Sequence, residues 1–134
     1  MTLRTILLAI TLSFTALVCD QRIYGQSEDK EGRAWLDANR GAAALNVTGV
    51  WEGGEWGRIP LSQQEGGRRI IGTGDGWDIS GVVSGNEIYL LFSHKGKVGF
   101  SAKLTSDGPN LLTGVYAPGL LSSGSKTHPM RLSK

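Results

Sequence analysis

The chain has 134 residues, 40% of them apolar, which is enough for one small domain with a single core and too few for two. Fourteen basic and twelve acidic residues give a formal net charge of +2, and because these charges are spread along the chain rather than clustered, the composition does not indicate a nucleic-acid partner. Twenty glycines and four prolines, with no repeat of three, exclude collagen and indicate a domain with many tight turns.

The first 25 residues have the pattern of a targeting segment. Arg4 precedes an uncharged, mostly apolar run of fifteen residues from Thr5 to Cys19, which is the order found in a secretory signal peptide. A spanning helix needs about 20 apolar residues, so a signal peptide is favoured over a retained anchor. We predict that residues 1–25 are a signal peptide or an N-terminal membrane anchor. The rest is then exported, periplasmic or secreted, and touches a membrane only through this segment or a lipid anchor.

Cys19 is the only cysteine, and it lies where the apolar run meets Asp20. The stretch ALVCD resembles a bacterial lipoprotein signal, which implies lipidation of Cys19, although that signal prefers a small residue where this chain has Val18. Cleavage after Gly25 is the alternative that the sequence favours. It would leave a mature chain with no cysteine, and therefore with no disulfide or thiol chemistry.

Residues 26–46 are predicted to form a short helix and a linker. Ser27 is the expected N-cap, because its hydroxyl can accept from the free amides of the first turn. Acidic residues, which the helix dipole favours there, follow at Glu28, Asp29 and Glu31. Arg40 in the last turn and Gly41 after it predict the end of the helix. A helix this short needs a surface to pack on, so Trp35 is expected to anchor it, and the predicted buried side comprises Trp35, Leu36 and either Ala38 or Asn39.

The main domain is predicted over residues 47–134, where the apolar pattern has a period of two. Turn signals such as Asp75–Gly76 and Gly85–Asn86 supply the positive φ angles of two-residue hairpins. Connections this short favour antiparallel pairing of consecutive strands. The predicted fold is therefore all-β, an eight-stranded antiparallel up-and-down meander barrel preceded by the short helix, with a flat sandwich as the alternative. The eight segments begin at residues 47, 57, 68, 77, 87, 97, 111 and 127.

Alternation within the segments predicts which side chains face the core. In the fifth segment the inward face comprises Ile88, Leu90 and Phe92. In the sixth it comprises Val98, Phe100, Ala102 and Leu104, and in the last Met130 and Leu132. Residues without a side chain are expected to permit the strong bending that a small barrel requires, and they lie inside strands at Gly72, Gly81 and Gly114.

Two short motifs resemble the calycins, the group that contains lipocalins and avidin-like proteins. Gly49, Val50 and Trp51 form a Gly-x-Trp on the predicted first strand, and residues 113–116 read TGVY, which looks like a late avidin strand. The resemblance covers roughly residues 46 to 134 as architecture. It implies a structural role for Gly49 and Trp51, because the first-strand tryptophan closes one end of the barrel in that group. No motif matches the polar cluster with which avidin-like proteins hold biotin, so biotin binding is not implied.

Aromatic residues are the candidate ligand contacts. Trp56 and Trp77 lie at predicted turns, at the barrel mouths, where a ring can cap the core or contact a ligand. Tyr89 and Tyr116 are further candidates. An eight-stranded barrel is either filled by its own side chains or holds one small ligand, and the Ile, Leu, Val, Phe and Met of the inner face favour a filled one.

Neither catalysis nor a metal or other cofactor is predicted. His94 and His128 are isolated in the sequence, without the spacing of a metal site. Carboxylates that would suit acid–base chemistry if they met, but that are equally explained as solvated turn residues, occur at Glu52, Glu55, Asp75 and Asp78. The glycine-rich stretch GTGDGWDISG is followed by no helix pattern, so it does not predict a phosphate-binding loop.

The sequence therefore predicts an exported β-barrel that binds a small apolar ligand. The alternative is an interaction protein, or an inhibitor of an extracellular or envelope protein, that would use its loops on a filled barrel. An apolar cavity would favour the first function, and an exposed apolar patch the second.

Overall fold

The structure, a computed structural model, describes residues 29–64 and 67–134. The predicted signal peptide or anchor, Cys19 and the predicted cap Ser27 lie outside the described residues. No helix within the described ranges has the length and apolar character needed to cross a membrane. The elements in chain order are α1 Lys30–Asp37, β1 Gly49–Glu52, a 3-10 turn Gly54–Trp56, β2 Arg58–Gln63, β3 Arg69–Gly74, β4 Trp77–Ser84, β5 Glu87–His94, β6 Lys97–Ser106, β7 Leu111–Pro118 and β8 His128–Ser133.

The eight strands close into a barrel. Each strand pairs antiparallel with the next strand in the chain, and β1 also pairs with β8 through Glu52 and Ser133. This confirms the predicted meander barrel preceded by a short helix, and it excludes the flat sandwich. Because alternate connections of a meander lie at the same end, the connections β1–β2, β3–β4, β5–β6 and β7–β8 share one end, which we call the mouth.

Two of the four connections at the mouth are two-residue turns, and the one at Asp75–Gly76 has the geometry that the sequence predicts. Asp75 and Gly76, between β3 and β4, have φ angles of 43° and 88°. Lys95 and Gly96, between β5 and β6, have φ angles of 52° and 80°. Positive φ at both central residues is the requirement of a type I′ hairpin turn, whose twist matches that of the flanking strands.

The barrel interior is packed with apolar side chains. Strand β5 turns Ile88, Leu90 and Phe92 inward, and β8 turns Met130 and Leu132 inward, as alternation predicts. The rest of this core cluster includes Trp51, Ile59, Leu61, Ile70, Ile79, Val83, Ala102, Leu104 and Leu112.

The prediction that Val98 faces the core is wrong. Phe92 lies opposite Phe100 across the β5–β6 pair, but Ser93 lies opposite Val98, so Gly99 is an extra residue. A bulge of this kind reverses the direction of the side chains beyond it. Val98 therefore packs on the outer face of the barrel, against the cluster that contains Leu36.

Three glycines inside strands lie where neighbouring backbones approach too closely for a side chain. A Cβ atom added to Gly72, Gly81 or Gly114 would lie 2.5, 2.4 or 2.0 Å from a carbonyl oxygen of the adjacent strand. Atoms essentially never come this close, so these positions of β3, β4 and β7 require glycine.

Helix α1 lies on the outside of the barrel and is shorter than predicted. Its N-cap is Asp29 rather than Ser27, since Oδ1 of Asp29 accepts from the amide of Gly32 at 2.7 Å. It ends at Asp37 rather than in the turn of Arg40, although Nε of Arg40 donates to the carbonyl of Asp37 at 2.7 Å. The helix stops here because the following residues pair with the barrel, where Nη1 of Arg68 donates to the carbonyl of Asn39.

The inner side of α1 covers β4 and β5. Leu36 is fully buried and packs with Val82, Tyr89 and Leu91, which point outward from the sheet. The ring of Trp35 meets that of Tyr89 edge to face at 5.5 Å, and its Nε1 donates to the carbonyl of Leu121 at 3.0 Å. Of the two remaining predicted contacts, Asn39 is half-buried and Ala38 is exposed.

Candidate functional site

A pocket of about 280 Å³ lies at the mouth of the barrel. It is formed by residues that are far apart in sequence, and each comes from a connection or from the strand residues beside one. We call it the mouth pocket, and its lining residues are Glu55, Trp56, Asp75, Trp77, Phe100 and Tyr116. The candidate site thus includes three of the four aromatic residues that the sequence suggests, namely Trp56, Trp77 and Tyr116.

Trp56 forms the floor of the mouth pocket. The 3-10 turn Gly54–Trp56 carries its ring over the end of the core, where the ring centroid lies 4.7 Å from that of Phe92. The rings of Phe100 and Tyr116 meet Trp56 edge to face at 5.4 and 5.1 Å. Edge-to-face contacts at this distance are favourable because the positive edge of one ring meets the negative face of another.

Trp77 and Tyr116 stand on either side of Phe100. The centroid of Trp77 lies 5.5 Å from that of Phe100, and the centroid of Tyr116 lies 6.0 Å from it, in both cases with the ring planes steeply inclined. Gly99 makes room for Trp77, because a Cβ atom at this position would lie 2.8 Å from the indole ring. The bulge in β6 therefore helps to shape the wall of the pocket.

Two carboxylates lie at the rim. Glu55 and Asp75 are exposed, and Asp75 is held there by the type I′ turn between β3 and β4. The hydroxyl of Tyr116 donates to Oε1 of Glu55 at 3.5 Å, at the long limit of a hydrogen bond. None of the six described residues that line the pocket is basic, so the lining itself contains two carboxylates and no cationic group.

The floor also contains an unpaired donor. Within the described part of the chain, Nε1 of Trp56 is buried and has no hydrogen-bond partner. A buried polar group without a partner is uncommon in folded proteins and costs stability. The hydroxyls of Ser80 and Ser93 share this property, but they belong to the outer face of the sheet.

Tyr89 lies away from the mouth pocket. Its neighbours in β5 show that it points out of the barrel, where α1 covers it and leaves it 9% exposed. Burial raises the pKa of Tyr89 to about 12, helped by its hydrogen bond to Glu87 and by the negative charge of that carboxylate. The hydrogen bond from Tyr89, together with the nearby charge of Lys103, lowers the pKa of Glu87. The predicted ligand contact thus belongs to a structural contact between helix and sheet.

Trp51 lies in the core near the end opposite the mouth. It is 2% exposed, and its Nε1 donates to the carbonyl of Val47 at 2.9 Å. Nζ of Lys134 lies 4.8 Å from the centroid of the ring. Gly49 leaves space for that lysine, because an added Cβ would lie 2.6 Å from its Cε. The surroundings of Trp51 and Gly49 are therefore those of packing residues.

The other carboxylates and the histidines do not line the pocket. Glu52 is paired with Arg58 at 3.4 Å, and Asp78 is exposed on β4. The ring of His94 lies 6.4 Å from that of Trp77, and the ring of His128 lies 5.3 Å from that of Tyr116. Across residues 29–64 and 67–134, no group of three or more His, Cys, Asp or Glu side chains is placed to hold a metal ion.

Sequence reasoning missed Phe100 as a site residue and did not join Glu55 and Asp75 to the aromatic residues. Phe100 looks like an ordinary core position because it alternates with Ala102 and Leu104. The sequence signal that could have found Phe100, Glu55 and Asp75 is that all three lie in or near connections at the same end of the barrel, since a meander brings alternate connections together.

Comparisons with known proteins give no family for this chain. No protein-family model matches it, and neither a curated protein nor a solved structure does so. The residues and geometry of the mouth pocket are therefore the basis for a functional proposal.

Proposed function

We propose that the protein is an exported, calycin-like binding module that holds a small ligand with an apolar face in the mouth pocket. Export rests on the predicted signal segment, and the calycin likeness rests on the Gly49–Trp51 motif together with the meander barrel. In this proposal the protein binds its ligand without catalysing a reaction and without a cofactor.

The observation that carries the proposal is the pocket and its aromatic lining. Ligand pockets are concave, mostly apolar, and commonly about 300–1,000 Å³ in volume, with a few polar groups that orient the ligand. The mouth pocket, at about 280 Å³, lies just below that range, and four of its six lining residues are aromatic. Because core side chains pack the barrel below Trp56, the ligand would sit on the aromatic floor rather than within the barrel.

Tryptophan fluorescence tests this proposal. The full chain is titrated with an apolar fluorescence quencher, and wild type is compared with Trp77→Phe, which removes an indole from the pocket wall. Saturable quenching in wild type, weakened about fivefold in Trp77→Phe, is the expected result, since aromatic contacts of this kind contribute on the order of 1 kcal/mol. Trp35→Phe is the matched control, because it removes an indole from the outer face and should leave the affinity unchanged. The absence of saturable quenching in wild type would reject the proposal.

A second candidate function, docking of a protein partner, has a separate observation behind it. Val50 and Ile71 are 50% and 48% exposed on the outer face of β1 and β3, beside the exposed Pro60. A shallow groove of about 340 Å³ is lined by residues of β2 and β3, including Pro60 and Ile71. Clustered apolar side chains on a surface mark interaction sites. If this face binds a protein partner, Ile71→Lys should abolish binding of that partner as measured by sedimentation, whereas Ile71→Val should preserve it.

A further inference from the structure

We infer that the ligand of the mouth pocket is a small organic cation, of the class of alkylated and quaternary ammonium compounds. This inference rests on the proposed function, since it names the ligand class for the same pocket. It follows from two properties of the pocket that act together, the kind of rings in its wall and the charge at its rim.

The rings are those that attract cations. The face of an aromatic ring carries negative charge density, and the attraction for an ammonium group is strongest for tryptophan and then for tyrosine and phenylalanine. The mouth pocket has two tryptophans, Trp56 and Trp77, which both contact Phe100, and Tyr116 contacts Trp56 and Phe100. Because neighbouring rings meet at steep angles, the cluster surrounds a concave space instead of forming one flat stack.

The charge at the rim has the complementary sign. Glu55 and Asp75 contribute one negative charge each, whereas the whole chain has a formal net charge of +2. Two other carboxylates, Glu52 and Glu87, are paired with Arg58 and Lys103, each at 3.4 Å, whereas Asp78 on β4 is exposed. Within the described part of the chain neither Glu55 nor Asp75 has an ion-pair partner. An anionic ligand would be repelled by these two carboxylates, whereas a cation would be attracted by them.

The size of the pocket restricts the cation to a small one. At about 280 Å³ the pocket accepts a headgroup with three or four methyl or ethyl substituents. Such a group has an apolar surface that suits the ring faces, and a diffuse positive charge that gives up water more readily than a bare ammonium group does. A ligand of this class thus combines the apolar face of the proposed function with the charge that the rim selects.

The test uses two probes of the same shape that differ in charge. Choline and 3,3-dimethylbutan-1-ol are matched in this way, because a neutral carbon replaces the quaternary nitrogen. Each is titrated into the full chain up to about 10 mM, by calorimetry and by displacement of the apolar quencher. We expect choline to bind about tenfold or more tightly than its neutral counterpart.

Matched variants connect the preference with the rim. The double variant Glu55→Gln and Asp75→Asn removes both charges, and asparagine tolerates the positive φ of 43° at Asp75. We expect it to reduce the preference for choline to about threefold or less, while the affinity for the neutral alcohol stays unchanged. Asp78→Asn is the control, because it removes an exposed carboxylate next to Trp77 that does not line the pocket.

The outcomes separate this inference from the proposed function. Equal or tighter binding of the neutral alcohol would overturn the inference and leave the pocket as a site for neutral apolar ligands. An undiminished preference for choline in the double variant would overturn the assignment of that preference to Glu55 and Asp75. Failure of both probes to bind or to displace a bound quencher would also overturn the inference. If the quencher itself does not bind, the proposed function falls as well.

Discussion

The two ends of the barrel are covered by different kinds of structure. At the end opposite the mouth, the chain between α1 and β1 runs across the barrel, where the amide of Ala44 donates to the carbonyl of Gly85 at 3.0 Å and the amide of Gly85 donates to Ala42 at 2.8 Å. Val47 in this crossing segment is 1% exposed. At the mouth, half-buried rings and two exposed carboxylates cover the core instead.

The two ends also differ in whether their buried polar groups have hydrogen-bond partners. Next to the crossing segment, the amide group of Gln63 accepts from the amide of Val47 at 3.0 Å and donates to the carbonyls of Leu45 and Gly67 at 3.0 and 3.2 Å. At the mouth, the buried Nε1 of Trp56 has no partner among the described residues. Satisfied polar groups stabilise a fold, whereas a buried polar group without a partner lowers its stability. The exposed carboxylates and half-buried rings of the mouth are the groups that a ligand can reach. We call the end opposite the mouth, over which the chain between α1 and β1 runs, the crossed end. We therefore expect substitutions at the crossed end to lower stability and substitutions at the mouth to weaken binding.

Trp51→Ala should give the largest effect on stability. The ring is almost fully buried near the crossed end, and truncation of a buried tryptophan lowers the free energy of unfolding by about 3–5 kcal/mol. Trp77→Ala removes a ring of the same size from the mouth, where it is half-buried, and should cost about 1–2 kcal/mol. Urea unfolding followed by circular dichroism measures both values. Equal losses would show that the two ends contribute alike.

Gln63→Ala should give the next largest effect. It removes the group that satisfies the buried amide of Val47, and a buried group left without a partner costs about 1–3 kcal/mol. Gln64→Ala is the control at the neighbouring, exposed position, with an expected change within about 0.5 kcal/mol. Hydrogen exchange of the Val47 amide should accelerate in Gln63→Ala only. Unchanged exchange there would mean that the crossing segment is held by its other contacts.

The fold was predictable because the information for it is local. Paired turn residues such as Asp75–Gly76 set the hairpins, and the alternation of Ile88, Leu90 and Phe92 sets the inward face, so the meander follows from neighbouring residues alone. The end of α1 was not predictable in this way. It depends on contacts with Arg68 and Gly85, which are distant in sequence.

The candidate site was predictable only in part, for the same reason. Trp56, Trp77 and Tyr116 are recognisable as aromatic residues near connections, but Tyr89 has the same appearance and lies under α1. Its direction depends on which face of β5 the helix covers, and alternation gives two faces without saying what packs on the outer one. The reversal of Val98 depends on an extra residue at Gly99 that only the pairing of β5 with β6 reveals.

The stability contributed by Tyr89, on the side of the barrel under α1, should fall at high pH. The pKa of Tyr89 is raised from 10.0 to about 12, so the folded state holds the phenolic proton more tightly than the unfolded state does. The resulting stabilisation is fully present below about pH 10 and is lost as the pH rises towards 12. We expect wild type to lose about 1 kcal/mol more than Tyr89→Phe over this interval. Urea unfolding at pH 8 to 11.5 measures the difference, and parallel losses would mean that the covering helix does not protect the hydroxyl.

Lys134→Met should have the smallest effect on stability. It tests, at the end opposite the mouth, the same attraction between a cation and a tryptophan ring that we infer for the ligand of the mouth pocket. Nζ of Lys134 lies over the ring of Trp51 and donates to the carbonyl of Thr48 at 3.1 Å. Methionine keeps much of the apolar stem and removes the charge, so the loss should be about 0.5–1 kcal/mol at this exposed site. Lys126→Met, at an exposed lysine in the β7–β8 connection, is the control.

A loss in Lys134→Met that exceeds the control would show that the crossed end supplies its own cation to its tryptophan. The described residues of the mouth pocket include two tryptophans and no basic side chain, and there we infer that the cation is the ligand. A loss equal to that of Lys126→Met would mean that the lysine over Trp51 adds no stability. The end opposite the mouth would then give no example, within this fold, of a tryptophan stabilised by a cation.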